Sequence, residues 1–354
     1  MDFKKLNEQI LPLDAAVGAH AKAHWDGIAK PLAGLGVLEE LVIKIAALTG
    51  DENVQIAPRA VLVMCADNGV VAEGVTQTDA SVTAQMAGQI LQKRSSVCRM
   101  AAAVGADTEP YDMGMLCRVA GVHGCHIADG TKNMTQQPAM TREEAEKAIE
   151  AGMVLVREYR DRGYRLLATG EMGIGNTTTS SAVASVLLDM PVEAVTGRGA
   201  GLSDAGLARK IDAIHRAIDC NQPDAGDALD VLAKLGGFDI AGMTGMFLGG
   251  ALYRVPVLID GFISSIAALI AARLCPNAVC AMLASHCSAE PAAQKVLQKL
   301  GVRAVIDADL KLGEGTGAVC MMPLLDMALS VYHGSAAFSE TGVAQYTVQE
   351  GDRR

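Results

Sequence analysis

Aromatic side chains are scarce in this chain: one Trp, six Tyr and five Phe among 354 residues. The apolar half of the sequence therefore rests on small and flexible side chains such as Ala, Gly and Met, which favours close helix–sheet packing over a core of rings. A long basic run is also missing, and the formal charge is −10. That balance makes nucleic acid and anionic membranes poor partners, so an anionic ligand must be held locally by backbone amides and one or two cations. None of the nine cysteines forms a CxxC pair, and Cys65, Cys280 and Cys320 sit within apolar runs. They read as reduced core thiols of a cytoplasmic protein. The most apolar region, from Ala241 to Leu274, is broken by Arg254 and Asp260. It falls short of the roughly 20 apolar residues a membrane helix needs. The first residues, "MDFKKLNEQILPLDAA", show no apolar stretch followed by a small-residue cleavage site, so a signal peptide is not expected. Repeats, low-complexity tracts and proline-rich linkers are absent as well, which points to one compact unit.

Along the chain, short apolar runs alternate with helical stretches. "LEELVIKIAALTG" near the start carries apolar residues at helical spacing and ends on glycine. "AVLVMCAD" precedes "SVTAQMAGQILQK", "YRLLATG" precedes "TTSSAVASVLL", "YRVPVLID" precedes "ISSIAALIAARL", and "NAVCAMLASH" precedes "EPAAQKVLQKLG". Continuous apolar runs, each followed by a helix, predict parallel strands buried on both faces. The class is α/β, a doubly wound and mainly parallel sheet. The tail from Thr316 reads as helical again ("AVCMMPLLDMALSVYH"), and the two helical ends are expected to pack together beside the sheet.

Polar groups follow these runs at consistent places: Asp67 and Asn68, Glu171, Asp260, then Ser285, His286 and Ser288. In an open parallel sheet the carboxyl ends of the strands share one edge, where ligands bind. Polar strand-to-helix loops are common in any case, so three glycine-rich loops carry the sharper signal. "GEMGIGNTT" (Gly170–Thr178) lacks the lysine of a P-loop and the third glycine of a dinucleotide fingerprint. Gly173 and Gly175 let the backbone approach a ligand, and Asn176, Thr177 and Thr178 open a helix whose amino end favours an anion. An ordinary helix cap explains the same residues. "TGRGAGLSDAGLARK" (Thr196–Lys210) offers Lys210 as a phosphate counter-ion, or as a solvated helix lysine. In "KLGEGTGAV" (Lys311–Val319), Glu314 stands between glycines, suited to a general base in apolar surroundings or to a surface turn. "HGCH" (His123–His126) matches no common zinc spacing, and His286 beside Cys287 points away from it if the two lie on a strand.

Taken together and in this order, "GEMGIGNTT", "TGRGAGLSDAGLARK", "PVLIDGFISSIAAL", "ASHCSAEP" and "LGEGTGA" resemble the nicotinate-nucleotide–dimethylbenzimidazole phosphoribosyltransferase family, which makes the lower nucleotide of cobalamin. The similarity extends from "KPLAGLGVLEEL" through "GTKNMTQQPAMT" to the tail. It implies a Rossmann-like large domain (46–315) and a small helical domain built from both chain ends (1–45 and 316–354). It also implies a dimer, either of identical chains or with a second, similar chain. The implied reaction transfers phosphoribosyl from nicotinate mononucleotide to an aromatic lower-ligand base, inverting the anomeric carbon, with no metal or other cofactor. The resemblance makes Glu314 the catalytic base. It assigns substrate contacts to Glu171, Gly173, Gly175, Asn176, Thr177, Thr178, Gly199, Lys210, Ser288 and Gly315, and the lower-base pocket to Gln77, Gln85 and Leu312. Gln77-Thr78-Asp79 stands where the family usually carries an aromatic-proline segment, and "KPLAGLG" replaces "KPPGSLG". The acceptor is therefore a benzimidazole, a purine or a phenol. The alternative reading is a weakly active or non-catalytic subunit of a heteromeric transferase. A nucleotide-dependent dehydrogenase would need the dinucleotide fingerprint that is absent here.

Overall fold

Arg59–Ala66, the run around "AVLVMCA", forms strand β1, and all eight of its residues are buried. Its side chains alternate between two cores, as the period-2 geometry of a strand requires. Ala60, Leu62, Met64 and Ala66 join one cluster, while Val61, Val63 and Cys65 join the other. In this computed structural model, which describes residues 1–347 and 349, β1 lies at the centre of a six-stranded sheet. The others are β2 (Asp107–Gly114), β3 (His123–Gly124), β4 (Leu166–Met172), β5 (Val257–Ile259) and β6 (Met282–Ala284). Their order is β3-β2-β1-β4-β5-β6, and every pairing is parallel. Strand order turns back between β1 and β4, which opens a crevice at their carboxyl ends. A small separate pair, β7 (His286–Cys287) and β8 (Ile306–Asp307), extends beyond β6.

One face is covered by helices Arg142–Asp161 and Phe238–Tyr253, which cross closely because Gly152 and Gly245 meet backbone to backbone. The other face is covered by Ser81–Leu91, Ser96–Ala103, Val37–Thr49 and Thr316–Gly334. Thr316–Gly334 comes from the far end of the chain, yet its Val319, Met322 and Leu325 share a core with Val61 and Val63 of the sheet. The terminal segments also touch directly. Ile28 pairs with Ala337, and the Trp25 ring lies 5.0 Å from that of Tyr332.

The structure adds one strand, shortens another and bounds the helical tail. The polar run "DTEPYDMG" forms β2, because strands on both its flanks supply the pairing that its composition does not announce. "NAVCA" is a 3₁₀ turn (Pro276–Ala281), with a proline opening it, and only Met282–Ala284 continues as strand. The helical tail ends at Gly334 but for one turn at Phe338–Thr341, and residues 348 and 350–354 of the expected helical end lie outside the described residues. No described helix is long and apolar enough to cross a membrane.

Candidate active site

The crevice at the carboxyl edge holds a cavity of about 320 Å³, lined among others by Glu171, Asn176, Asp260 and Leu312. That volume suits a small-molecule ligand. Glu171 is delivered by β4, and Asn176 opens helix Asn176–Leu188 after Gly175, whose φ of +93° only glycine adopts without strain. Of the helix's first N–H groups, that of Asn176 turns back to the Gly173 carbonyl and that of Thr178 to Gly175. The Thr177 N–H has no acceptor among the described residues, so one amide of the turn is open to a ligand.

Behind Thr177 lies Lys210, fully buried. Its Nζ donates to Thr177 Oγ1 (2.9 Å) and to the Gly197 carbonyl (3.1 Å). Burial pulls its pKa down to about 8, with the Glu290 carboxylate resisting the fall. The helix lysine is therefore no solvated side chain. It is a cation presented to the cavity through the Thr177 hydroxyl. Gly199 makes this fit, since a Cβ there would come within 2.9 Å of Thr177 Oγ1.

Two carboxylates, Glu171 and Asp260, line the cavity, and a third, Asp239, lies buried against Asn176. Asn176 Nδ2 donates to Glu171 Oε2 (2.5 Å) and to Asp239 Oδ2 (2.9 Å), while the Glu314 N–H donates to Glu171 Oε1 (3.3 Å). Burial raises Glu171 to about 8, against the pull of Asn176 and with help from Asp239. Burial also raises Asp239, to about 6. Asp260 is raised by burial although His286 opposes it, and His286 is lowered by burial although Asp260 opposes that. Its surroundings thus keep Glu171 largely protonated at neutral pH.

The expected site residues fall into two groups. Glu171, Gly173, Gly175, Asn176, Thr177, Gly199, Ser288, Gln77 and Leu312 all line the one cavity. Thr178, Lys210, Glu314, Gly315 and Gln85 do not line it. Thr178 is buried in the helix wall, and Gln85 is exposed, donating to Ser81 Oγ at 3.3 Å. Gln77 bridges the mouth, its amide donating to the Ala200 and Gly201 carbonyls. Glu314 is buried in the loop that ends the cavity, with φ of +61° between Gly313 and Gly315, both also left-handed. Its Oε2 accepts from the Val97 N–H (3.0 Å), and Oε1 has no hydrogen-bond partner among the described residues.

Sequence reasoning missed Asp239 and left His286 without a role. Asp239 sits in the first turn of a long apolar helix, where an acid reads as a dipole partner. The preceding "GG" was the available signal, because Asn68 and Asp239 crowd Gly237 too closely for a Cβ. His126 of "HGCH" is held between Asp112 (3.0 Å) and Asp129 (2.9 Å), away from the cavity lining.

Residues 10–343 match a family model described as Phosphoribosyltransferase. The nicotinate-nucleotide–dimethylbenzimidazole phosphoribosyltransferase of Acetivibrio thermocellus is 45% identical over 328 residues, covering 92% of this chain and 93% of that protein. The enzyme of the same name from Chloroflexus aggregans is 45% identical over 337 residues, covering 94% and 96%. The crystal structure of CobT from Thermus thermophilus superposes with a TM-score of 0.88 at 39% identity, over 94% of this chain and all of that one. With its fold and nearly its whole length matched, the chain belongs to the nicotinate-nucleotide–dimethylbenzimidazole phosphoribosyltransferase family, the pentosyltransferases of cobamide lower-ligand activation.

Proposed function

We propose that this chain moves the 5-phosphoribosyl group of nicotinate mononucleotide onto a nitrogen of a benzimidazole. The observation that carries this reading is the layout of one cavity. An open helix amide backed by a buried lysine and a buried glutamate line it, and the loop that carries a second, glycine-bordered glutamate forms part of its wall.

In this scheme the 5′-phosphate docks at the Thr177 N–H and hydroxyl, with Lys210 supplying charge from behind. The ribose lies over Glu171. Nicotinate leaves as the C1′–N bond breaks, and that electron pair neutralises its own pyridinium, so the leaving group needs no acid. The incoming base attacks C1′ with one ring nitrogen while its other nitrogen gives a proton to Glu314 Oε1, the carboxyl oxygen without an internal partner. General-base help of this kind contributes about 10²–10⁴-fold. Arrival of a cationic ribosyl pyridinium pulls down the raised pKa of Glu171, and the ionised carboxylate then faces the charge developing on the sugar.

The acceptor enters beside Leu312, which is 55% exposed at the rim, under the Gln77 bridge. A polar amide in that position, in place of an aromatic wall, favours an acceptor with edge polar atoms, so substituted benzimidazoles and purines should compete. The test is a product assay with the chain purified alone, nicotinate mononucleotide, and a panel of benzimidazoles, purines and phenols. The α-riboside phosphate of a benzimidazole is the expected product. Absence of product with every acceptor, cured by adding a second family member, would establish the subunit reading instead.

A further inference from the structure

The Glu314 loop poses a mechanical problem. Residues 313, 314 and 315 have φ of +86°, +61° and +97°, a left-handed run in which the central residue is not glycine. A glutamate pays for that conformation, so neighbouring groups must hold it there. The backbone of the loop is in fact gripped from below. The Gly315 N–H donates to Asp260 Oδ2 (3.2 Å), the Ala318 N–H donates to Asp260 Oδ1 (3.0 Å), and the Glu314 N–H donates to Glu171 Oε1 (3.3 Å). Asp260 comes from the end of β5 and is 4% exposed. Its own N–H is tied to Ser264 Oγ (3.1 Å), which fixes it to the next helix. His286 packs so tightly on Gly317 that a Cβ there would overlap the imidazole, which closes the other side of the turn. Glycine at 315 is equally demanded, because a Cβ would strike Val61 at 2.6 Å.

We propose that Asp260 is a positioning residue for Glu314. Both its oxygens are spent on the backbone that carries the base, and through them it sets where the Glu314 carboxylate stands against the acceptor. This rests on the base role given above to Glu314. Displacement of a reacting group by about 1 Å costs on the order of 10²-fold. Asparagine at 260 keeps one acceptor oxygen but turns an N–H₂ toward the second backbone donor, so one of the two ties is lost.

The test is a double-mutant cycle on the purified chain, reading kcat and KM for nicotinate mononucleotide. Asp260→Asn should lower kcat by about 10- to 100-fold with KM within about threefold. In the Glu314→Gln background the same change should be nearly silent, because a residue that acts only through the base has nothing left to position. An equal loss in both backgrounds would show that Asp260 acts independently of Glu314, and an unchanged kcat in the single variant would dismiss it altogether. Backbone hydrogen exchange separates a folding defect, since protection should be lost only at whichever of the Gly315 and Ala318 amides faces the new N–H₂. Failure of the base role itself is distinguishable, as Glu314→Gln alone would then leave the rate intact.

Discussion

At the scale of single residues, the site works by contrasts in environment between groups of ordinary chemistry. Glu314 and Glu171 are both buried glutamates joined through one backbone N–H, yet only Glu314 keeps a carboxyl oxygen without an internal partner. Glu314→Gln should therefore cut kcat by about 10²–10⁴-fold with little change in KM for nicotinate mononucleotide, as steady-state kinetics will show. Lys210 makes a different prediction. Its pKa of about 8 means that it is charged below that pH and neutral above it. Affinity for the phosphate-bearing substrate should fall as pH rises through about 8, measured as KM between about pH 7 and 9. Lys210→Met should bind about 10- to 100-fold more weakly and lose that pH dependence. A slope that survives the substitution would assign the titration to another group. The burial that lowers this lysine is invisible in "GLARK", where the residue reads as one more solvated helix cation. Its partners, Thr177 and Gly197, are brought up by tertiary folding from 33 and 13 residues away.

At the scale of elements, legibility followed burial. β1, β4 and β5 stand out in the sequence because a strand covered on both faces must be apolar throughout. β2 does not, since its first residue, Asp107, is exposed and its Asp112 is spent accepting from the Met115 N–H and holding His126. The glycine loops were equally readable, because positive φ and close backbone approach select glycine whatever lies around them. Which carboxylate meets which loop was not readable, as it depends on strand order. Helix crossing depends on it too. The glycines of "GMTGMFLGG" look like weak helix formers, and their purpose appears only against Gly152 of the facing helix. A Cβ at Gly245 would overlap the Ile149 carbonyl, a backbone atom with no rotamer to escape into. Gly245→Ala should accordingly destabilise the fold by about 1–3 kcal/mol in denaturant titration, despite the better intrinsic helix propensity of alanine. A neutral or stabilising result would mean that the two helices part at little cost.

At the scale of the whole molecule, the question is whether the chain ends form a unit of their own. The sequence resemblance implies a small helical domain from residues 1–45 and 316–354. The packing gives such a unit little independence. Trp25, Leu41, Val42 and Ile45 share a continuous core with Met322 and Leu325, and that core runs on into Val61, Val63 and Leu258 of the sheet. The helix that carries much of it, Thr316–Gly334, begins at the Glu314 loop, with Asp260 bonded to its first turn. Melting the ends would therefore strip one face of the sheet and release the loop that holds the base. The chain carries its own reporter for this: Trp25 is its one tryptophan, 1% exposed, tilted against the Tyr332 ring and beneath the Lys30 ammonium (5.0 Å from the ring). Tryptophan fluorescence and far-ultraviolet circular dichroism should trace a single denaturant transition with coincident midpoints, and transferase activity should vanish along the same curve. Were the fluorescence change to come first, with the dichroism still near native, the terminal helices would be a separately melting unit. Activity lost at that earlier midpoint would then show that the Glu314 loop depends on the helix it opens more than on the sheet beneath it.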